Sequence, residues 1–317
     1  MRRSILIALG AAGALLAGLS IQAAKFDGQA FATPDAAARA LVNAAKAGDA
    51  DAVLKILGPA AKDILVTNDP VADRLARRKF IARATERMKV IADPNDPSEK
   101  TMVVGKDDWP LPIPIVHADG KWYFDVEQGK DEILTRRIGS NELDAIEVSR
   151  GYVEAQNEYF ATEKPGGVGQ YAQRIISSPG KHDGLYWPNT GTEEASPIGD
   201  MIAKAFAEGY TKKGEPYHGY YFKVLTAQGP NAPGGAMNYI DNGAMTKGYA
   251  LIAWPSDYGS TGVMTFLVSR VGIVYQKDLG PNTAAIAGAY TAYDPDKTWT
   301  PVTLSLGQQP AKLGARR

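Results

Sequence analysis

No cysteine occurs anywhere in the 317 residues of the chain. That absence removes disulfides, thiolate zinc sites, iron–sulfur clusters and cysteine nucleophiles together, so core packing alone must hold the fold. The constraint is sharpened because the chain opens like an exported protein. Met1-Arg2-Arg3 precedes an apolar run from Ile5 to Leu19, and Ser20-Ile21-Gln22-Ala23-Ala24 follows; this is the n-, h- and c-region order of a secretory leader. The run is shorter than the roughly 20 residues of a membrane span. We expect residues 1–24 to be a signal peptide cut after Ala24, with Ala23 the neighbouring alternative. The expected location is periplasmic or secreted, with no permanent membrane span after cleavage. No Ser or Thr precedes Arg2-Arg3, which favours the general secretory route over the twin-arginine one, and no cysteine follows the apolar run to carry a lipid.

Lys and Arg number 35 and Asp and Glu number 35, so loss of Arg2 and Arg3 leaves a slight negative excess. The broad basic field of a nucleic-acid binder is missing, and none is expected as a partner. Hydrophobic residues at 44% and charged residues at 22% are those of a globular chain. The histidines are His117, His182 and His218, too few for a histidine-rich metal site. The carboxylates at Asp93 and Asp96, Asp241-Asn242-Gly243 and Asp294-Pro295-Asp296 match no EF-hand spacing. Turn chemistry accounts for them, and neither metal nor cofactor is expected.

From Thr33 to Lys89 the pattern is helical. Thr33-Pro34-Asp35 is an N-cap with proline at the first helical position, Gly48-Asp49 ends one helix and starts another, and a third is expected from Asp69 to Lys89. The period then switches to strands at Thr101–Val104, Leu111–His117 and Lys121–Val126, with a turn at Asp119-Gly120. Pro110, Pro112 and Pro114 make the middle segment an edge strand or an extended connection. A helix over Gln128–Arg137 is expected to break at Gly139-Ser140-Asn141, which caps a second helix running to Thr162. Strands are expected at Tyr217–Gln228, Gly248–Trp254, Gly262–Val268 and Val271–Lys277. The fold class is thus α+β, with an N-terminal unit of helices plus a small antiparallel sheet (25–139), a C-terminal unit of long helix plus antiparallel meander (140–302), and a flexible tail (303–317).

Seven segments spread over the mature chain carry a resemblance. They are Gly105-Lys106-Asp107-Asp108-Trp109-Pro110, Gly120-Lys121-Trp122-Tyr123-Phe124-Asp125, Arg136-Arg137-Ile138-Gly139-Ser140-Asn141-Glu142, Ala155-Gln156-Asn157-Glu158-Tyr159, Gly184-Leu185-Tyr186-Trp187-Pro188, His218-Gly219-Tyr220-Tyr221-Phe222 and Ala253-Trp254-Pro255-Ser256-Asp257-Tyr258-Gly259. The chain resembles an exported bacterial family known as domain of unknown function 2950, a resemblance that implies no activity. The first half is similar to cystatin-like or nuclear-transport-factor-like folds. The second resembles the globular part of type II secretion pseudopilins, some of which bind calcium in a loop; the corresponding loops here hold Asp241, Asp278 and Asp294. No hydrophobic assembly helix follows Lys25-Phe26, so polymerisation is not implied.

Catalytic motifs are sparse. Gly259-Ser260-Thr261-Gly262 lacks the nucleophile-elbow spacing, and Gly166-Gly167-Val168-Gly169 is neither a dinucleotide nor a Walker loop. His182, followed by Asp183, and His218 are the candidate acid–base groups, against the plainer reading of loop histidines bonded to backbone. Arg83 and Arg87 are a candidate anion-binding pair, against the plainer reading of snorkelling arginines paired with Asp125, Glu127 or Glu132. Arg136-Arg137 is expected to clamp the junction of the halves through carboxylates such as Glu142. Trp187, Tyr220, Trp254 and Tyr258 are candidate ligand-binding aromatics on a cleft rim, against core packing. The leading expectation is a non-enzymatic binding or envelope-assembly accessory protein whose partner is an envelope protein or glycan. The alternative is a cell-envelope hydrolase using His182 or His218 with a carboxylate.

Overall fold

The computed structural model describes residues 26–162, 169–189, 191, 195–212 and 214–303. The expected leader, the tail from residue 304 and Gly166-Gly167-Val168 lie outside the described residues. The Thr33 hydroxyl accepts the Ala36 N–H at 3.1 Å and starts α1 (Pro34–Ala47), which Gly48 closes at φ 70° in the left-handed region. Asp49 caps α2 (Ala50–Leu57). A 3-10 turn at Pro59–Ala61 and the short α3 (Lys62–Leu65) lead to α4 (Pro70–Glu86), capped by Asp69.

The third helix stops three residues short of the expected Lys89. Arg87 is extended, and Met88 pairs with Val104 as the first residue of an unexpected strand, β1 (Met88–Ala92). With β2 (Glu99–Val104), β3 (Trp109–Pro110), β4 (Ile115–Ala118) and β5 (Lys121–Phe124) it forms an antiparallel sheet ordered β1-β2-β4-β5, with β3 paired to β2. Leu111 to Pro114 belong to no strand, as the missing donors of Pro112 and Pro114 require. Leu41, Met102, Ile115 and Phe124 are buried where α1 and the sheet meet.

Helix α5 (Val126–Ala161) is one element of 36 residues, about 54 Å long at 1.5 Å per residue. The expected break at Gly139-Ser140-Asn141 does not occur. Helix propensity there is poor, but Arg137, Asn141 and Glu142 all find fixed partners along the flank, and tertiary bonds override propensity.

Beyond α5 come α6 (Gly199–Glu208), β6 (Tyr220–Leu225), β7 (Ala227–Gln228), β8 (Met237–Asn238), β9 (Ile240–Asp241), β10 (Ala244–Met245), β11 (Ala250–Pro255), β12 (Met264–Ser269), β13 (Tyr275–Asp278), α7 (Thr283–Gly288), β14 (Ala292–Tyr293) and β15 (Thr300–Pro301). The main sheet is antiparallel throughout in the order β15-β13-β12-β11-β6; β14, β7 and β8 form a smaller sheet, and β9 pairs with β10. Ala250 to Ala253 are buried at four consecutive positions, so both faces of β11 are covered. The architecture is mixed α+β. Its helix order differs from the expected one: the long helix starts inside the first half, and α6 and α7 are additional.

The continuity of α5 gives a test. Gly139 is exposed in mid-helix, and a Cβ built on it meets nothing within 4 Å. Gly139→Ala should stabilise the protein by about 0.5–1 kcal/mol in denaturant unfolding; a neutral or destabilising result would point to a broken helix.

Candidate functional site

The sequence Thr67-Asn68-Asp69-Pro70 writes a helix start, and the structure uses it for more. Asp69 is 1% exposed. Its Oδ1 accepts the Ala72 N–H at 2.9 Å, as an N-cap should, while its Oδ2 accepts the Tyr210 hydroxyl at 2.9 Å and the Gly219 N–H at 2.8 Å. One carboxylate therefore binds the start of α4 to the turn that precedes β6. Burial and the Asp69 charge push the Tyr210 phenol well above its ordinary pKa, so it remains a donor. Its oxygen in turn accepts the His218 N–H at 3.3 Å.

These bonds fix an unusual turn. His218 has φ 48° and Gly219 φ 76°, both left-handed. Gly219 is obligatory on two counts, since a Cβ there would come within 2.6 Å of the Asn141 side-chain nitrogen and 2.9 Å of the Thr261 Cβ. The turn aims the His218 ring between two helices. Nδ1 lies 2.7 Å from Asp144 Oδ2 on α5 and Nε2 lies 2.9 Å from Glu208 Oε2 on α6. Tyr217 stacks on the ring at 4.2 Å and 18°. Burial works against the charged ring, but the bonds to Asp144 and Glu208 outweigh it and raise the pKa above its ordinary value of 6.5.

A protonated ring satisfies both carboxylates, whereas a neutral ring has one donor and one lone pair and satisfies only one. This geometry makes His218 a charged cross-link. To act as a general base it would have to leave one of the two carboxylates.

The α5 segment that was expected to break lines the same junction. Arg137 donates to the Ile64 carbonyl and reaches Ser260 Oγ at 3.5 Å. Asn141 donates to the Thr261 carbonyl at 2.9 Å, and Glu142 Oε1 accepts the Val263 and Met264 N–H groups at 3.0 and 2.9 Å. Arg137 does bridge residues of the two halves, but through a carbonyl and a hydroxyl. Glu142 is committed to β12.

The other candidates are not brought to this site. The His182 ring lies flat on Trp187, with centroids 4.3 Å apart. The neighbouring Asp183 carboxylate accepts the Ser178 N–H at 2.7 Å and hydroxyl at 2.9 Å. Trp187 is 4% exposed and Tyr220 is 0% exposed, with its hydroxyl on the Met264 carbonyl at 2.9 Å, so both are core residues and no cleft rim includes them. Trp254 leans on Tyr221, and Tyr258 bonds Asp278 at 3.2 Å. Arg83 pairs with Asp107 at 2.8 Å and Arg87 with Asp108, in place of the expected Asp125, Glu127 or Glu132. Both guanidinium groups hold their carboxyl partners below the ordinary range.

Among the described residues no group of three His, Asp or Glu side chains is placed to hold a metal ion. Sequence reasoning found His218 but missed Asp69, Asp144 and Glu208. Asp69 announces itself only as a helix cap, and no spacing links residues 69, 144, 208 and 218.

A model of a protein family of unknown function, DUF2950, matches residues 28–302 and so covers the whole of this junction. The chain belongs to the DUF2950 family. No curated protein and no solved structure matches it. For this DUF2950 member the junction therefore has to be read from its own chemistry, and Asp69 is its testable centre. Asp69→Ala removes the helix cap and leaves the Tyr210 hydroxyl and Gly219 N–H without their acceptor, which should cost roughly 3 kcal/mol in chemical denaturation. Asp69→Asn, which keeps one acceptor oxygen, should fall between; a loss below about 1 kcal/mol for the alanine variant would show that the carboxylate carries no such weight.

Proposed function

We propose that this DUF2950 chain is an exported, non-catalytic binding or envelope-assembly protein that docks a protein partner through Trp109. The observation that carries this reading is the preorganised surface around that residue. Trp109 is 37% exposed at the end of a turn that is fixed on α4: the Gly105 N–H donates to the Arg83 and Arg87 carbonyls at 3.1 and 2.9 Å. The Arg83 and Arg136 guanidinium groups lie 5.9 and 5.0 Å from the centre of the ring. Arg136 is held by Glu132 at 2.6 Å and by the Pro110 carbonyl at 3.1 Å. Tryptophan and arginine dominate the energetics of protein interfaces, and a surface ordered beforehand loses little entropy on binding.

Of the two partner classes, an envelope protein fits better than a glycan. A sugar would need the ring face, where the guanidinium groups already sit, while a protein can meet the ring edge and the arginines together. The folds of the halves belong to the same reading. α1 lying on β4 and β5 supports a cystatin-like or nuclear-transport-factor-like first unit, and α5 packed on β11 and β12 supports a pseudopilin-like second unit. The hydrolase alternative would rest on His182, whose ring is stacked on Trp187, or on His218, whose two ring nitrogens are both engaged by carboxylates.

The test compares the chain from Lys25 onward with its Trp109→Ala variant in affinity capture from an envelope extract, and both with His218→Ala in turnover of cell-wall glycan and peptide. The native protein should retain a discrete protein species, the Trp109→Ala variant should retain it at least about 30-fold more weakly, as for a hot-spot residue, and neither should turn over substrate. Turnover by the native protein that disappears in His218→Ala would sink the proposal, and equal capture by both proteins would remove Trp109 from it.

A further inference from the structure

Helix α6 is attached by its two ends and one apolar stripe. Met201 and Ile202 pack on the main core, Ala205 packs with Val71 and Tyr210, and the Phe206 and Tyr186 rings meet in a T-shaped contact. Beneath the N-terminal half runs a narrow apolar crevice of about 30 Å³ lined by Val148, Tyr152, Leu185, Ile198, Met201 and Phe222, room for no more than a water or two. The C-terminal end is held by the Glu208 side chain on His218 Nε2 and by Arg74, which donates to the Glu208 carbonyl at 3.4 Å.

We propose that His218 is a proton-operated latch: the charged ring ties the end of α6 to α5, and loss of the ring proton frees α6 from the crevice it covers. The argument is geometric. Two ionised carboxylates are acceptors only, so the contacts of 2.7 Å to Asp144 and 2.9 Å to Glu208 both need a hydrogen on the ring. A neutral ring keeps one hydrogen, and the shorter bond to Asp144 on the long, well-anchored α5 keeps it. The Nε2 lone pair then faces the Glu208 carboxylate, and the contact turns repulsive.

Among the described residues, the charged and titratable groups that bear on the ring come from four stretches of the chain. From α4 and its cap come Arg74 and Asp69, the latter already satisfied by three donors; from α5 come Asp144 and Glu147; from α6 comes Glu208; and from the stretch between α6 and β6 come Tyr210 and Tyr217, both driven above their ordinary range by burial and therefore neutral. Arg74 is the cation among these groups, and its bond is to the Glu208 carbonyl and not to the carboxylate that faces the ring. Because the ring pKa is raised in the closed state, the sign is fixed. The latch is complete below the ordinary value near 6.5 and weakens as pH rises through the raised value.

The cysteine-free sequence makes the test clean. Ala205 is 7% exposed under α6, so Ala205→Cys introduces a single, shielded thiol with little change in volume. Its labelling rate is divided at each pH into that of the same chain unfolded in denaturant, which cancels thiolate ionisation. Protection should hold steady up to pH 6.5, then fall roughly tenfold, the loss of one hydrogen bond between charged partners, and level off by the pH at which the native His218 ring titrates by NMR. Asparagine tolerates the left-handed backbone, so Ala205→Cys with His218→Asn should show low protection that does not change with pH. Protection that stays constant through the His218 titration, or a fall that persists in His218→Asn, would overturn the latch. If Ala205→Cys does not fold, amide exchange of residues 199–208 in the native chain and in His218→Asn, corrected for intrinsic rates, reads the same two outcomes.

Discussion

The Asp69 carboxylate sits where three separate requirements meet. Helix α4 needs an acceptor for its first free N–H groups, the turn before β6 needs one for Gly219, and Tyr210 needs one for its hydroxyl. An ionised carboxylate buried without partners would be untenable by many kcal/mol, and with three well-aligned donors it becomes a strong, directional anchor. The rest follows in sequence. With Gly219 drawn to Asp69, His218 is forced into the left-handed region. In that conformation its ring points between α5 and α6, and Tyr220 can then start β6 against Pro255.

Charge is used in two different ways, around Trp109 and at the junction. Around Trp109 the pairs Arg83–Asp107, Arg87–Asp108, Lys106–Glu86 and Arg136–Glu132 are substantially exposed, and each contributes little to stability. Their effect is to hold long side chains in one arrangement beside the ring. At the junction the His218 contacts are partly withdrawn from water, where the attraction is stronger but desolvation offsets much of it. What such a group supplies is discrimination: the correct arrangement is satisfied and any displaced one leaves a carboxylate facing a lone pair.

Local chemistry was legible in the sequence and non-local pairing was not. Thr33-Pro34, Asp49 and Gly48 gave their caps because a cap is decided within four residues. Pro112 and Pro114 lie in no strand, as their missing donors require, yet Ile115 to His117 of the same expected edge segment belong to β4, which pairs on both sides with β2 and β5. Gly139-Ser140-Asn141 misled, because its poor propensity is overridden by partners more than a hundred residues away at Thr261 and Val263. Met88 and Lys89 read as the last residues of a helix in the sequence, and only their pairing with Val104 and Val103 reveals the strand. Trp187 beside Pro188 and Tyr220 beside Gly219 suggest a rim, yet both rings are buried, and the room for Tyr220 comes from the distant Gly262, where a Cβ would collide with its ring. The histidine at the junction was found and its partners were missed for the same reason, since residue type is local information and the acids come from α4, α5 and α6.

The absence of cysteine takes on a specific meaning at this junction. A disulfide would tie residues 69 and 219 covalently, and the loop it closed would be long enough for most of the benefit to come from restricting the unfolded chain. Hydrogen bonds through a buried carboxylate do nothing to the unfolded chain and act only once both halves are formed. They therefore couple the halves: Asp69 caps α4 with one oxygen and holds the 217–220 turn with the other, so the carboxylate has its full set of donors only when both are formed. Coupling of this kind breaks cooperatively under denaturant. At His218 it also breaks with the loss of a single proton, a reversibility that no covalent bridge between the same elements would permit.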